Sequence, residues 1–422
     1  MLEAMTPARQ DAFLAAAQGI GDRILAERLP APQGHFSWRG PRGYNTPDNP
    51  LRIAALGPHL YNGTCGVALF FAALAKVTGS PHPAAVALQT LAPLRNRLRQ
   101  LLADPLRAAE LRMSVGGLSG VGSFIYSFLT IGRLLGEPEL LAEAGALTAL
   151  MTASRIARDD VSRIQQGAAG GLLALLALRR ETGEEGGALL ELARACGRHL
   201  ARSRVAYQGH PPAWRISPSL PPVCDFCYGS AGIRYALLQL LAISPDPELA
   251  AAAADALEFE RSLYCPERRT WKDLRFEGCS IQDMWCHGTA GLALGKIASL
   301  PLADDPEIRE EIEIALAATL AATTPERFVV NPYDDMCCGH LGRVEVLHSA
   351  ARLLGRADLL EPAAALAERV LHRAEATGRY GLTSARGTEH FDPSLFQGAA
   401  GIGYTLLRLV APDDLPCLLL MA

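Results

Sequence analysis

Lysine is nearly missing from this chain. Of its 422 residues only Lys76, Lys272 and Lys296 are lysine, so arginine carries almost all of the positive charge. No stretch gathers Lys and Arg into a cluster, which removes the electrostatic footprint of a nucleic-acid binder. Acidic blocks are missing as well, the net charge of −4 being spread along the chain. The longest apolar runs, such as GVALFFAALAKV, stop well short of the roughly 20 residues a membrane span requires. The first residues, MLEAMTPARQ, do not have the basic-then-apolar layout of a secretory signal. Strand signals are sparse. These absences point to a cytoplasmic, helical protein with no membrane span and no nucleic-acid partner.

Apolar residues are 49% of the chain, enough for a sizeable core, and the length suits either a few average domains or one large closed architecture. Ten cysteines at uneven spacings read as reduced thiols rather than a disulfide framework, with some available as metal ligands.

A Gly-x-x-Gly pattern recurs through the chain. It stands at NGTCG (Gly63, Gly66), GGLSG (Gly117, Gly120), QGAAG (Gly167, Gly170), YGSAG (Gly229, Gly232), HGTAG (Gly288, Gly291), CGHLG (Gly339, Gly342) and QGAAG (Gly398, Gly401). One copy would be noise. Seven copies roughly 50 to 60 residues apart are the signature of a repeat array. After the copies come apolar runs of helical length, among them VALFFAALAKV and IRYALLQLLAI, greasy on nearly every side as buried helices are. Before them lie amphipathic stretches such as DPEIREEIEIALAATLAATT, with acidic residues in the first turn. Each unit is therefore an outer amphipathic helix, a loop, the glycine motif and an inner apolar helix. An open stack would need polar end repeats, and none is evident. The expected fold is all-α, a closed α/α toroid of seven hairpins and about fourteen helices, one domain over residues 1–422.

Aligning the repeats on their first glycine brings cysteines into register. Cys227, Cys286 and Cys337 stand two residues before it in consecutive repeats, and Tyr228, His287 and Cys338 stand one residue before it. In a toroid these positions share one rim. Soft thiolates select zinc or iron–sulfur clusters, and a catalytic zinc takes three protein ligands and keeps a fourth position open. The expected ligands are Cys286, Cys337 and Cys338. A rival set draws in Cys227, with Cys224 through the CDFC spacing, and four thiolates would make the site closed and structural.

WCHGTAG followed by MCCGHLGRVEVL resembles the lanthionine synthetase C-like cyclases, most closely the C-terminal cyclase domain of class II lanthipeptide synthetases. LYNGTCGVALFFAALAKVTG and SLFQGAAGIGYTLLRL resemble that domain's first and last motifs, so the likeness spans nearly the whole chain. It implies a seven-fold α/α toroid with one zinc ion at its mouth. It also implies zinc ligation by Cys286, Cys337 and Cys338, the last standing where histidine is usual, as in a three-cysteine subset. His340, after the glycine, is a weaker ligand candidate.

The implied substrate is a dehydrated precursor peptide, whose cysteine thiol adds to a dehydroalanine or dehydrobutyrine to close a thioether ring. The dehydratase domain of those synthetases has no counterpart in the sequence, so a separate or covalently linked dehydratase is an expected partner. Three departures bear on proton transfer. Tyr228 replaces the usual histidine of the fourth repeat, Gln282 replaces an expected arginine, and RMSVGGLSG has no aspartate before its glycines. His287 then becomes the leading candidate for the acid/base, with Tyr228 behind it and Asp283 and Asp335 as supports. The two longest irregular segments, 35–50 and 205–226, are expected to line or gate the mouth. Two other readings were weighed: a non-catalytic relative that binds peptides or thiols, and a zinc-thiolate toroid of the prenyltransferase type, which the paired CHG and CCG motifs disfavour.

Overall fold

The computed structural model describes residues 5–30, 35–42, 51–184, 187–217, 219–280, 282–385 and 390–421. Its inner layer is seven helices: α2 (Thr64–Thr78), α5 (Val121–Leu135), α8 (Ala168–Thr182), α10 (Ser230–Leu241), α12 (Thr289–Ser299), α15 (His340–Leu354) and α17 (Ala399–Val410). Around them run α3 (Pro81–Leu102), α6 (Pro138–Ala146), α9 (Ala188–Arg202), α11 (Pro247–Ser262), α13 (Pro306–Ala321), α16 (Leu360–Thr377) and α1 (Pro7–Ala26). Three short helices, α4 (Pro105–Glu110), α7 (Ala153–Ala157) and α14 (Pro325–Val330), sit in the connections. Each inner helix packs on the next around the series α2, α5, α8, α10, α12, α15, α17, and α17 returns to α2. The ring is closed. The first outer helix, α1, packs on α17, the last inner one, so the two ends of the chain are joined by a shared hairpin.

The expected α/α toroid of fourteen long helices is therefore the observed fold. The glycine motif explains why the ring can be tight. Each inner helix has glycine at its N-cap. Three residues later the second glycine lies against the backbone of the incoming loop: a Cβ on Gly170 would stand 1.8 Å from the Ile164 carbonyl oxygen, and one on Gly401 would stand 1.9 Å from that of Leu395. Only glycine permits that approach.

One repeat departs from the expected register. In the second, Gly120 rather than Gly117 is the N-cap, and Ser123 takes the place of the close-approach glycine. Its hydroxyl compensates by donating to the Gly120 carbonyl at 2.6 Å.

Among the described residues ten short strands also form, as five antiparallel pairs. Two hairpins, β5–β6 (Val205–Tyr207, His210–Ala213) and β7–β8 (Arg215–Ser217, Leu220–Pro222), occupy most of the segment expected to be irregular at 205–226. The other such segment is strand at Phe36–Ser37 and Arg39–Arg42, and its residues 43–50 lie outside the described residues.

The inner helices are buried nearly all round, and charged groups are buried with them. Lys296 on α12, only 2% exposed, donates to Glu260 on α11 at 2.6 Å and pairs by charge with Glu311 on α13 at 2.9 Å. Removing one partner from such a group costs about 3–5 kcal/mol, because a charge is left dry and alone. Arg408 on α17 similarly reaches Glu345 on α15 at 2.5 Å. The segment after α17 turns into the interior. Leu415 and residues 417–421 are buried, Cys417 meets Ser349 of α15 at 3.5 Å, and Met421 packs beside Gly117. Among the described residues no helix is long and apolar enough to cross a membrane.

Candidate metal centre

Because every inner helix begins at the same end of the ring, the residues just before the seven N-cap glycines form two tiers around one mouth. The lower tier, two residues before the cap, is buried: Tyr61, Leu118, Gln165, Cys227, Cys286, Cys337 and Phe396. The upper tier, one residue before it, is open to solvent in part or in full: Asn62, Ser119, Gln166, Tyr228, His287, Cys338 and Gln397. A belt of backbone hydrogen bonds runs through the lower tier. Cys337 N–H donates to Phe396 at 2.8 Å, Phe396 to Tyr61 at 3.0 Å, Tyr61 to Leu118 at 2.9 Å and Leu118 to Gln165 at 3.1 Å. Among the described residues the belt has no link through Cys227 or Cys286.

Where the belt is interrupted, the thiols gather. The sulfurs of Cys286, Cys337 and Cys338 all lie within 4.8 Å of one another. Cys286 Sγ is 3.4 Å from Cys338 Sγ, and Cys338 Sγ is 3.5 Å from Cys337 Sγ. A tetrahedral ion with Zn–S bonds of about 2.3 Å sets its sulfurs ~3.8 Å apart, so these three need move little to share one ion. Soft donors in this number fit zinc. Cys338 is held well below the ordinary thiol range by its hydrogen bonds with Cys286 and Cys337. Cys337 is pushed up by burial and by donating within the cluster. Binding a metal would displace the thiol protons.

Several groups hold this trio. Asp335 accepts from the N–H of Cys337 at 3.1 Å and of Cys338 at 2.9 Å, and its other oxygen accepts from Thr383 N–H at 2.8 Å. Burial raises its pKa to about 7. Tyr61, from the first repeat, places its hydroxyl 3.0 Å from Cys337 Sγ and stacks on Phe396. The Gln397 side chain, from the seventh repeat, lies close enough to lower the Cys338 pKa further.

His287 stands beside the cluster in a polar cage. Its Nδ1 meets Asp225 Oδ2, and its Nε2 lies 3.3 Å from Nη1 of Arg275. With the proton on Nδ1 toward the carboxylate, Nε2 is the acceptor. Arg275 is braced in turn by Asp273. Tyr228 stacks on the imidazole at 4.6 Å between centroids, and Arg163 lies over the phenol ring at 5.1 Å. The same Arg163 donates to the Ile216 carbonyl at 3.2 Å, which ties strand β7 to the rim. Gln282 stands where the family resemblance expects arginine; the cation beside His287 is Arg275, earlier in the same loop.

Other candidates lie elsewhere. Cys227 and Cys224 are buried and stand outside the cluster, so the four-sulfur alternative is not what the ring assembles. His340 points away, bonding the Asn331 carbonyl at 3.0 Å and stacking on Phe328, and burial lowers its pKa to about 3. Asp283 pairs with Arg343 at the start of α15 and links the fifth and sixth loops.

This is a helical toroid with a thiol cluster at the mouth, and the comparisons give it a family. The chain belongs to the lanthionine synthetase C-like proteins, a family that matches residues 54–420. Among solved structures it is similar to a nisin cyclase, with a TM-score of 0.64 and 14% identity over 86% of this chain and 92% of that one. A weaker likeness joins it to an unsaturated glucuronyl hydrolase specific for heparin, with a TM-score of 0.45 and 13% identity over 76% of this chain and 85% of that one. No curated protein matches the chain by sequence.

Proposed function

We propose that this protein is a zinc-dependent peptide cyclase that makes lanthionine or methyllanthionine rings in the cytoplasm. Its substrate is a precursor peptide already dehydrated by a separate or linked dehydratase. The observation that carries the reading is the cluster of three sulfurs, donated by the loops of two adjacent repeats, at the mouth of the ring.

Cys286, Cys337 and Cys338 would hold the ion. A zinc ion there supplies acidification of an incoming thiol, which is mostly protonated at neutral pH when free, its pKa being about 8.5. Asp335 and Tyr61 fix the two adjacent cysteines so that the donor set is formed before the substrate arrives. In the ring-closing step a peptide sulfur bonds to the alkene β-carbon, the π electrons move toward the carbonyl, and a proton is added at the α-carbon. The thiol proton is the one gained overall, so nothing is oxidised or reduced. The inner helices point their N-termini at the mouth, and their positive ends favour both thiolate and developing enolate. His287, held by Asp225 and Arg275 and stacked on Tyr228, is the group we assign to protonate the α-carbon. Tyr228 shapes its flank and is the second donor candidate.

The test is incubation of the zinc-loaded protein with a dehydrated, cysteine-containing peptide. Alkylatable thiol should disappear at constant peptide mass. A peptide that binds yet keeps its thiol would instead support a non-catalytic binding role, a reading favoured by one feature: both nitrogens of His287 are engaged. On its own the protein should leave serine and threonine undehydrated.

A further inference from the structure

The mouth has a second side, and nothing in the metal centre accounts for it. Opposite the thiols the upper tier is Gln397, Asn62, Ser119 and Gln166, four neutral side chains in four successive repeats. Each carries a donor and an acceptor in one group. Charged or apolar residues would serve equally well as a solvated rim. Their absence from all four positions is the first sign of a shared task.

The second sign is that the shelf is rigid. The backbone belt runs beneath all four residues, linking the residue before Gln397 to those before Asn62, Ser119 and Gln166. The third is that the two central side chains are unoccupied: among the described residues neither the Asn62 amide nor the Ser119 hydroxyl makes a hydrogen bond. The shelf begins at the metal centre itself, since Tyr61, next to Asn62, touches Cys337 and Gln397 lies beside Cys338.

We infer that Gln397, Asn62, Ser119 and Gln166 form a subsite for the main chain of the substrate peptide. The inference rests on the cyclase reading and names how that substrate is held. Backbone amides alternate donors and acceptors, and side chains able to do both can pair with them in either direction and without regard to sequence. Neighbouring helices stand about 8–10 Å apart, so three steps along the shelf follow an arc of ~27 Å whose ends, in a closed ring of seven, are only ~20 Å apart, about six residues of extended peptide at ~3.3 Å each. A peptide lying there would keep its reactive residues beside Cys338 while ring size and sequence vary.

The experiment measures binding rather than turnover. Two labelled dehydrated peptides, with serine replacing cysteine so that no ring can form, are titrated by anisotropy into the zinc-loaded protein. One has flanks of about eight residues and the other is cut to about four residues in all. Asn62→Ala combined with Ser119→Ala should weaken the long peptide about tenfold, the loss of two exposed neutral hydrogen bonds. The short peptide should bind the variant and the parent alike, and zinc content and Tm should not move. Asn62→Gln with Ser119→Thr should restore most of the affinity for the long peptide. No loss, or an equal loss for both peptides, overturns the inference and leaves the cyclase reading standing. A parent protein that binds neither peptide overturns both.

Discussion

The two arcs of the mouth are built from the same repeat and do opposite things. From the seventh repeat through the third, the lower tier is stitched by backbone hydrogen bonds and the upper tier offers neutral amides and a hydroxyl. From the fourth through the sixth, the stitching stops short of Cys227 and Cys286, and the upper tier offers Tyr228, His287 and Cys338. Backbone that bonds only to backbone is rigid and chemically quiet. Where the belt is broken, side chains do the holding: Asp335 takes the N–H groups of two cysteines, and Asp225 takes the imidazole. On the proposed reading, one arc keeps a peptide in place and the other changes it.

The contrast can be broken most sharply at the thiols. Replacing Cys286, Cys337 or Cys338 with serine should abolish stoichiometric zinc binding and lower thiol consumption by at least about a hundredfold, read by metal analysis and alkylation. Next comes the imidazole. His287→Gln should slow ring closure by about a hundredfold with zinc retained, and Asp225→Asn by about tenfold, since it disturbs orientation rather than removing the proton carrier. Tyr61→Phe removes a hydrogen bond to one ligand and should weaken zinc affinity about tenfold in a competition with a chelator. Cys338→His should keep the metal and slow cyclisation several-fold, because one fewer thiolate leaves the incoming sulfur less electron-rich.

The smallest effect lies away from the mouth, on stability alone. His348 is buried beside Arg408, which lies 3.2 Å from its Nδ1, and its pKa is lowered to about 3 by burial first and that cation second. A histidine kept neutral by folding stabilises the protein above the unfolded value of about 6.5 and loses that contribution as pH falls below it, by ~1.4 kcal/mol per unit. His348→Gln should flatten the acid limb of the denaturation curve between pH 6 and 4 by that slope.

The fold could be read from the glycines because a close backbone approach admits no other residue, which leaves the repeat written in plain letters. The register slipped only in the second repeat, where GGLSG offers two overlapping frames and Ser123 hides the true one. The cysteine trio was legible for the same reason, as positions counted from a cap. What holds the trio was not. Tyr61 shares the register of Cys337 and Asp225 shares that of Asp335, so a signal existed, but their chemistry differs from that of the cysteines and only ring closure makes them neighbours. Arg275 shares no register at all. It reaches His287 from an irregular loop, and no spacing rule could place it. The hairpins at 205–222 were read as irregular because proline-rich strands do not alternate cleanly.

Zinc-edge X-ray absorption tests the central claim most directly. The metal-loaded protein should show three sulfur neighbours near ~2.3 Å and one lighter atom, changing to four sulfurs when a cysteine-containing dehydrated peptide is added. Four sulfurs before any peptide is present, or a count unchanged by it, would contradict the account.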